Sequence, residues 1–237
     1  LDQLAQDGMV FTAGYAAAGN CAPSRACLLS GTYTPRHHLY AVGSTDRGDK
    51  KQQRLIPVPN KQGLGKEHVT IAESLKAAGY ATGHFGKWHL AGTDGALPAE
   101  QGFDVSFDSS GERKQKDGFE ESKTGAPSDP KGVFTLTEKA CEFIESNKER
   151  PFFCYLAHHA IHTPLQARPE SLAKFEAKSP GHQHGDPLYA ACTWDLDASV
   201  GILLQKLNDL GLEKNTLLVF TSDNGGTQQS SQEPLRG

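Results

Sequence analysis

The 237-residue sequence has few cysteines, no excess of positive charge and no long apolar run. Its five cysteines are an odd number spread thinly along the chain, so they indicate no disulfide framework. The formal net charge of -4 argues against a nucleic-acid-binding protein. No apolar stretch approaches the roughly 20 residues that a membrane-spanning helix needs. These absences favour a globular domain with no membrane span and no nucleic-acid partner.

The sequence also lacks an initiator methionine and a signal peptide at its first residue, Leu1. At the other end, residues 234–237 come soon after an apolar run and its polar loop. We therefore expect a fragment that is cut at both ends and forms one large domain.

The first chemically informative segment is a polar stretch that leads into an apolar helix. Cys21 follows a run of small residues, and Pro23 suits a first helical turn because its missing N–H costs nothing there. The N-terminus of a helix attracts anions and lowers the pKa of a thiol, and Arg25 adds a fixed positive charge. We expect a reactive Cys21 beside an anion site. Most lone cysteines are simply buried, and that is what we expect for Cys27.

A helix–turn–strand unit supplies the next candidates. A capping box at residues 70–73 begins a helix that Gly79 ends, and residues 80–85 follow as a short strand. Lys87 and His89 come directly after it and are two residues apart, so they face the same side of an extended chain. Ligands of open α/β sheets gather at this end of the strands.

A second unit begins at Thr135, where the spacing to Glu138 predicts a capped helix. One face of this helix should be apolar, formed by Leu136, Ala140, Phe143 and Ile144. The apolar run 151–156 is typical of a buried parallel strand. Three histidines follow it, at 158, 159 and 162, without acidic or cysteine neighbours and in a spacing that fits no firm zinc pattern.

The last third predicts a long amphipathic helix over 188–210 and a second buried strand over 215–221. We expect Asp195 to lie on the solvent face of that helix. The strand delivers Asp223 and Asn224 into a glycine turn, where their oxygens suit Ca²⁺ or Mg²⁺. Without further context, an ordinary Asx–Gly turn is the better explanation of these two residues.

Four motifs, in order along the chain, resemble the signatures of the type I sulfatases, the formylglycine-dependent sulfate ester hydrolases. They are C-x-P-S-R-x-x-L-L-x-G from Cys21, G-Y-x-T-x-x-x-G-K-W-H-L from Gly79, H-x-P from His162 and S-D-N-G-G from Ser222. The resemblance implies an alkaline phosphatase-like α/β fold, with a mixed, mostly parallel sheet flanked by helices on both faces. It also implies that residues 1–237 are a sulfatase catalytic domain truncated at both ends.

The resemblance assigns a role to each catalytic candidate. Cys21 becomes formylglycine (3-oxoalanine) through a formylglycine-generating or other sulfatase-maturing enzyme, and the aldehyde hydrate attacks sulfur. Arg25 and Lys87 stabilise the hydrate and the sulfate charge. His162 protonates the leaving alcohol, and His89 takes a proton from the hydrate so that sulfate is released.

The resemblance further implies a metal ion, Ca²⁺ or Mg²⁺, bound by Asp223, Asn224 and the modified Cys21. In the family, two more metal carboxylates come from a strand that would precede Leu1, and another sulfate-binding lysine would follow Gly237. The implied substrate is a sulfated small molecule or carbohydrate. The implied location is secreted, periplasmic or lysosomal.

Two other functions stay open at this point. A phosphonate or phosphate ester hydrolase of the same superfamily would use the same pocket on a phosphorus centre. An inactive fragment with only binding capacity would keep an unmodified thiol at Cys21.

Overall fold

The computed structural model describes residues 1–108, 128–181, 184–226 and Ser230. The α-helices of this part are α1 (Asp2–Asp7), α2 (Cys21–Ser30), α3 (Thr34–His37), α4 (Ile71–Ala77), α5 (Val133–Ser146), α6 (Pro169–Glu176) and α7 (Pro187–Asp209). The strands are β1 (Ala81–Gly86), β2 (Val105–Phe107) and β3 (Phe152–Ala157). Short 3₁₀ helices lie at Pro98–Gln101, Pro130–Gly132 and Glu213–Asn215.

The three strands form one sheet in the order β2-β1-β3, with β1 parallel to both neighbours. In register, Gly83 of β1 lies opposite Val105 of β2 and Cys154 of β3. All pairs among the described strands are parallel, as the sequence predicts for most of the sheet. The carboxyl ends of the strands therefore lie at a common edge, where α/β sheets bind ligands.

Helices cover both faces of the sheet. Successive side chains of a strand point to opposite sides, so the apolar side chains of β3 need a packing partner on each face. Phe153 and Tyr155 pack against a buried cluster that α2, α4 and the segment after β1 provide. Phe152 and Leu156 pack on the other side, against a cluster that includes residues of α5 and α7. This arrangement confirms the α/β class and the helices on both faces.

The capping box before α4 forms as predicted. The Thr70 hydroxyl accepts a hydrogen bond from the Glu73 amide at 3.2 Å, and the Glu73 carboxylate accepts one from the Thr70 amide at 2.7 Å. These two bonds satisfy amides that a helix start leaves without partners. The helix and the strand after it are therefore encoded locally.

The predicted start of α5 is wrong by a few residues. The helix begins at Val133, and Thr135 lies inside its first turn. The carboxylate of Asp129 accepts hydrogen bonds from the amides of Phe134 and Thr135, at 2.8 and 3.1 Å. Asp129 therefore caps the helix start, the role that the sequence predicts for Thr135. The predicted apolar face is confirmed, since all four of its residues are buried: Leu136, Ala140, Phe143 and Ile144.

The prediction that Asp195 faces solvent is also wrong, although α7 itself matches the predicted helix. Asp195 is 1% exposed. Its carboxylate accepts hydrogen bonds from the Arg168 amide at 2.8 Å, the Arg168 guanidinium at 2.9 Å and the Ser171 hydroxyl at 2.5 Å. A buried carboxylate needs such partners, and these lie on or just before α6.

The buried strand predicted over 215–221 is absent from the described structure. The segment pairs with none of β1, β2 and β3, and Leu217, Val219 and Phe220 are exposed. Only Leu218 packs against the cluster formed by α5 and α7. A strand needs a neighbour to bond its amides, and the described residues offer this segment none.

Candidate active site

The site begins at the first residue of α2, which is Cys21. Ala22, Ala26 and Leu29 anchor this helix in the core, and Gly31 ends it in a left-handed conformation with φ +64°. That conformation suits glycine, which has no Cβ to clash. The motif around Cys21 therefore fixes a short buried helix with its positive end at the thiol.

Lys87 and His89 approach Cys21 from the carboxyl end of β1. Gly86 has φ +106°, and a Cβ there would lie 2.1 Å from the Ala157 carbonyl oxygen of β3. The apolar side chains that alternate with these two residues, Trp88 and Leu90, are buried in the core. Lys87 and His89 therefore point the other way. His89 has φ +61°, a left-handed conformation that costs a non-glycine residue energy and often marks functional sites.

His162 reaches the same thiol from the loop after β3. Its Nδ1 lies 2.6 Å from the Thr163 carbonyl oxygen, so this nitrogen donates to that oxygen. The ring also hydrogen-bonds Cys21, which leaves Nε2 for that contact. The main-chain bond thus fixes which nitrogen faces Cys21.

Arg25, one turn along α2 from Cys21, is 6% exposed and binds the turn that carries Asp223 and Asn224. Its Nε and one terminal nitrogen each lie 2.9 Å from Oδ2 of Asp223. Its other terminal nitrogen donates to the Lys87 carbonyl oxygen at 2.7 Å and contacts the Tyr155 hydroxyl at 3.4 Å. One buried guanidinium therefore joins α2, the end of β1, β3 and the 223–224 turn.

Asn224 completes the contacts around the thiol. Its Nδ2 lies 3.5 Å from Sγ of Cys21 and donates to Oδ1 of Asp223 at 2.9 Å. All seven residues that the sequence singles out for catalysis or metal binding therefore meet in one place: Cys21, Arg25, Lys87, His89, His162, Asp223 and Asn224.

The surroundings of Cys21 strongly favour its thiolate. Hydrogen bonds from His162 and then from His89 lower the pKa of Cys21 from 9.0 to about 5, with a further contribution from the positive charge of Lys87. The pKa of Lys87 is lowered, chiefly by burial of its ammonium group. The pKa of His162 is raised, chiefly by its hydrogen bond to Cys21. The pocket is therefore built to hold negative charge at Cys21.

A family model described as Sulfatase matches residues 1–237. The chain belongs to the sulfatase family. It is 34% identical over 256 residues to human "Arylsulfatase A", and this alignment covers 95% of this chain and 46% of that protein. It is 32% identical over 261 residues to "Arylsulfatase" of Hemicentrotus pulcherrimus, covering 98% of this chain and 43% of that protein. The chain thus spans about half the length of these relatives.

Solved sulfatase-like structures agree on the fold. The crystal structure of Ps i-CgsB superposes with a TM-score of 0.68 at 28% identity, over 93% of this chain and 52% of that one. The sheet with helices on both faces is thus the alkaline phosphatase-like fold of sulfatases. The same protein in complex with k-i-k-neocarrahexaose gives a TM-score of 0.67.

The sulfatase family in general uses formylglycine and a divalent metal. At Cys21 the sulfur occupies the position that an aldehyde oxygen or its hydrate would take. The donors around it, His89, His162 and Lys87, also suit such oxygens, so the surroundings fit the modified residue.

The metal ligands are only partly present. No three His, Cys, Asp or Glu side chains cluster as a metal site within residues 1–108, 128–181 and 184–226. Asp223 and Asn224 offer suitable oxygens, but Arg25 and the Asn224 amide already occupy the two carboxylate oxygens of Asp223. Ca²⁺ takes six to eight oxygen ligands. The two residues therefore fit as part of a cation site and do not complete one.

The other predicted cysteines and histidines behave as structural residues. Cys27 is 6% exposed, and its Sγ lies 3.4 Å from Nε2 of His37. His158 is hydrogen-bonded to Thr137 at 2.9 Å, and burial lowers its pKa to about 4. His184 is exposed in its loop, and His182 lies outside the described residues.

Sequence reasoning missed two groups near the site. The sequence places Tyr155 only within an apolar strand, yet its hydroxyl contacts Arg25. No acidic residue lies near His159 in the sequence, yet its Nε2 lies 2.8 Å from Oδ1 of Asp108. The polar hydroxyl of a tyrosine near a strand end was a usable signal for Tyr155. No local signal could have paired His159 with Asp108, because 51 residues separate them.

No described helix is long and apolar enough to cross a membrane.

Proposed function

We propose that the protein hydrolyses a sulfate monoester to an alcohol and inorganic sulfate at Cys21, with residues 1–237 forming part of the catalytic domain. The observation that carries this proposal is the convergence of Lys87, His89 and His162 on Cys21, at the positive end of α2. An anionic ester needs fixed positive charge, and its cleavage needs a nucleophile and a proton donor.

Formylglycine at Cys21 would supply an aldehyde whose hydrate offers a nucleophilic hydroxyl and can later release the product. Lys87 binds and neutralises the sulfate charge, and its partial burial strengthens that attraction. His89 accepts a proton at the position of Sγ, to which it is hydrogen-bonded.

His162 serves as the general acid for the leaving alcohol. Its Nδ1 is held by the Thr163 carbonyl, so Nε2 is the nitrogen that carries the transferable proton. In the unconverted protein, the hydrogen bond to Cys21 raises the pKa of His162, so this position favours a protonated ring beside a negatively charged partner. A positioned general acid typically contributes about 10²–10⁴-fold to the rate.

Arg25 acts mainly through the groups it holds. Its guanidinium fixes Asp223 beside Cys21 and adds positive charge to the pocket. Asp223 and Asn224 would supply two oxygen ligands of a Ca²⁺ or Mg²⁺ ion, which contributes Lewis acidity when bound.

Among sulfate monoesters, a sulfated carbohydrate is the substrate that we favour, and a sulfated aryl ester is the simpler alternative. A solved relative is described in complex with k-i-k-neocarrahexaose, and curated relatives are named arylsulfatase or N-acetylgalactosamine-6-sulfatase. The proposal includes a sulfatase-maturing enzyme as a partner. It also includes a secreted, periplasmic or lysosomal location, which rests on the family alone.

The test is sulfate release from aryl sulfate and sulfated oligosaccharides by the protein at its full natural length. We expect turnover by the wild type, none by Cys21→Ala, and near-normal turnover by Cys27→Ala, a matched change on the same helix. Faster cleavage of an aryl phosphonate than of the aryl sulfate would instead support the phosphorus alternative, which the sulfatase relatives do not favour.

A further inference from the structure

An acidic–basic pair joins two strand ends beside the proposed active site. Nε2 of His159 lies 2.8 Å from Oδ1 of Asp108, which is hydrogen-bond distance. Asp108 directly follows β2, and His159 is the second residue after β3. Because β2 and β3 flank β1 and run parallel to it, the pair spans the sheet edge from which Lys87 and His89 extend.

The pair is sheltered from solvent. The side chains of His159 and Asp108 are 18% and 23% exposed. A sheltered hydrogen bond is costly to break, because its loss leaves polar groups without partners away from water. The Asp108–His159 contact therefore fixes the main chain on each side of β1.

The main chain links this pair to the proposed general acid. The His159 carbonyl oxygen accepts a hydrogen bond from the His162 amide at 3.0 Å, which closes a turn over residues 159–162. The ring of His162 is held in addition by its own contact with the Thr163 carbonyl. A shift of His159 would move the turn, and the turn carries the ring that faces Cys21.

We propose that Asp108 and His159 are positioning residues that hold the 159–162 turn so that His162 reaches the leaving oxygen. This inference rests on the proposed function of His162. A leaving alcohol of high pKa needs the proton from His162, whereas an acidic phenol does not. The loss of kcat on breaking the Asp108–His159 contact should therefore depend on the leaving group.

The experiment compares kcat for a sulfated sugar and for the sulfate of an acidic phenol in His159→Leu and His159→Gln. Leucine removes the donor to Asp108, whereas the glutamine amide can restore it. For His159→Leu we expect kcat to fall about 10–100-fold on the sulfated sugar, since misplacing a catalytic group by about 1 Å can cost 10²-fold. On the phenol ester kcat should stay within about threefold, and His159→Gln should recover most of the loss.

The control variant is Glu145→Gln, which breaks an ion pair of similar length, 3.0 Å, between Glu145 of α5 and Lys206 of α7. It should leave both substrates unaffected. An equal loss on both substrates in His159→Leu, or no loss on either, would overturn the positioning role.

A second measurement does not depend on turnover. In protein with unconverted Cys21, the NMR signals of the His162 ring should move in His159→Leu and stay near the wild-type positions in His159→Gln. If wild-type protein released no sulfate but these signals moved as expected, the proposed function would fail and the positioning role would stand. Identical His162 signals in the two variants would refute the positioning role.

Discussion

In protein whose Cys21 is unconverted, the thiol should react with a small disulfide reagent in a way that ordinary thiols do not. The pKa of Cys21 is about 5, lowered mainly by hydrogen bonds from His162 and His89. At pH 7 the thiolate is then present in roughly hundredfold excess over the thiol, whereas a thiol of pKa 9.0 is about 1% ionised.

The rate at neutral pH is nevertheless a poor test. Thiolate nucleophilicity falls with pKa, with a Brønsted coefficient of about 0.4–0.5, so a four-unit drop slows the thiolate roughly 60-fold. The hundredfold gain in ionisation at pH 7 is almost cancelled. At pH 5 an ordinary thiol of this kind is only about 0.01% ionised and Cys21 about half, which leaves Cys21 roughly 80-fold faster.

The assay is the pH dependence of disulfide exchange at Cys21, with a chelator present so that no divalent cation adds its charge. The other four cysteines should stay silent, because burial raises the pKa of Cys27, Cys141 and Cys192, and that of Cys154 to about 12. We expect a rate midpoint near pH 5, and a higher midpoint in His162→Ala. A wild-type rate that rises only through pH 8–9 would refute the electrostatic reasoning.

Three further substitutions separate the site from its scaffold. Lys87→Ala removes a largely buried cation beside Cys21 and should lower kcat/KM for an aryl sulfate about 10²–10³-fold, whereas a loss below about threefold would count against its role. Asp195→Ala should lower the free energy of unfolding by about 3–5 kcal/mol in chemical denaturation, because it leaves Arg168 without its buried partner. Asp197→Ala, at a side chain that is 42% exposed, should change the free energy of unfolding little, and equal effects of the two variants would contradict this reasoning. Thr70→Ala removes the α4 cap and should cost about 1 kcal/mol by the same measurement, and an unchanged unfolding midpoint would show that the cap is dispensable.

Features encoded within a few residues could be predicted from the sequence. The capping box at Thr70 and Glu73 forms because both partners lie in the same helical turn. The apolar face of α5 follows directly from helical periodicity. Its start was misplaced because Asp129, which precedes the helix by four residues, offers the first amides a carboxylate in place of the Thr135 hydroxyl.

Features that depend on distant partners could not be predicted. Asp195 resembles a solvent-facing helix residue until Arg168 and Ser171 pack against it, 27 and 24 residues away. Residues 215–221 have the composition of a strand, but composition does not supply the neighbouring strand that pairing requires. The site residues themselves were identified by motif, and their convergence on Cys21 depends on Arg25 joining segments up to 198 residues apart.

The most direct measurement is peptide mass spectrometry of the segment containing Cys21, on protein purified from its native host. Hydrolysis through this residue requires the Cys21 side chain as an aldehyde, with oxygen in place of sulfur. An intact thiol in protein that still releases sulfate would contradict the mechanism, and an intact thiol in inactive protein would indicate a binding role instead.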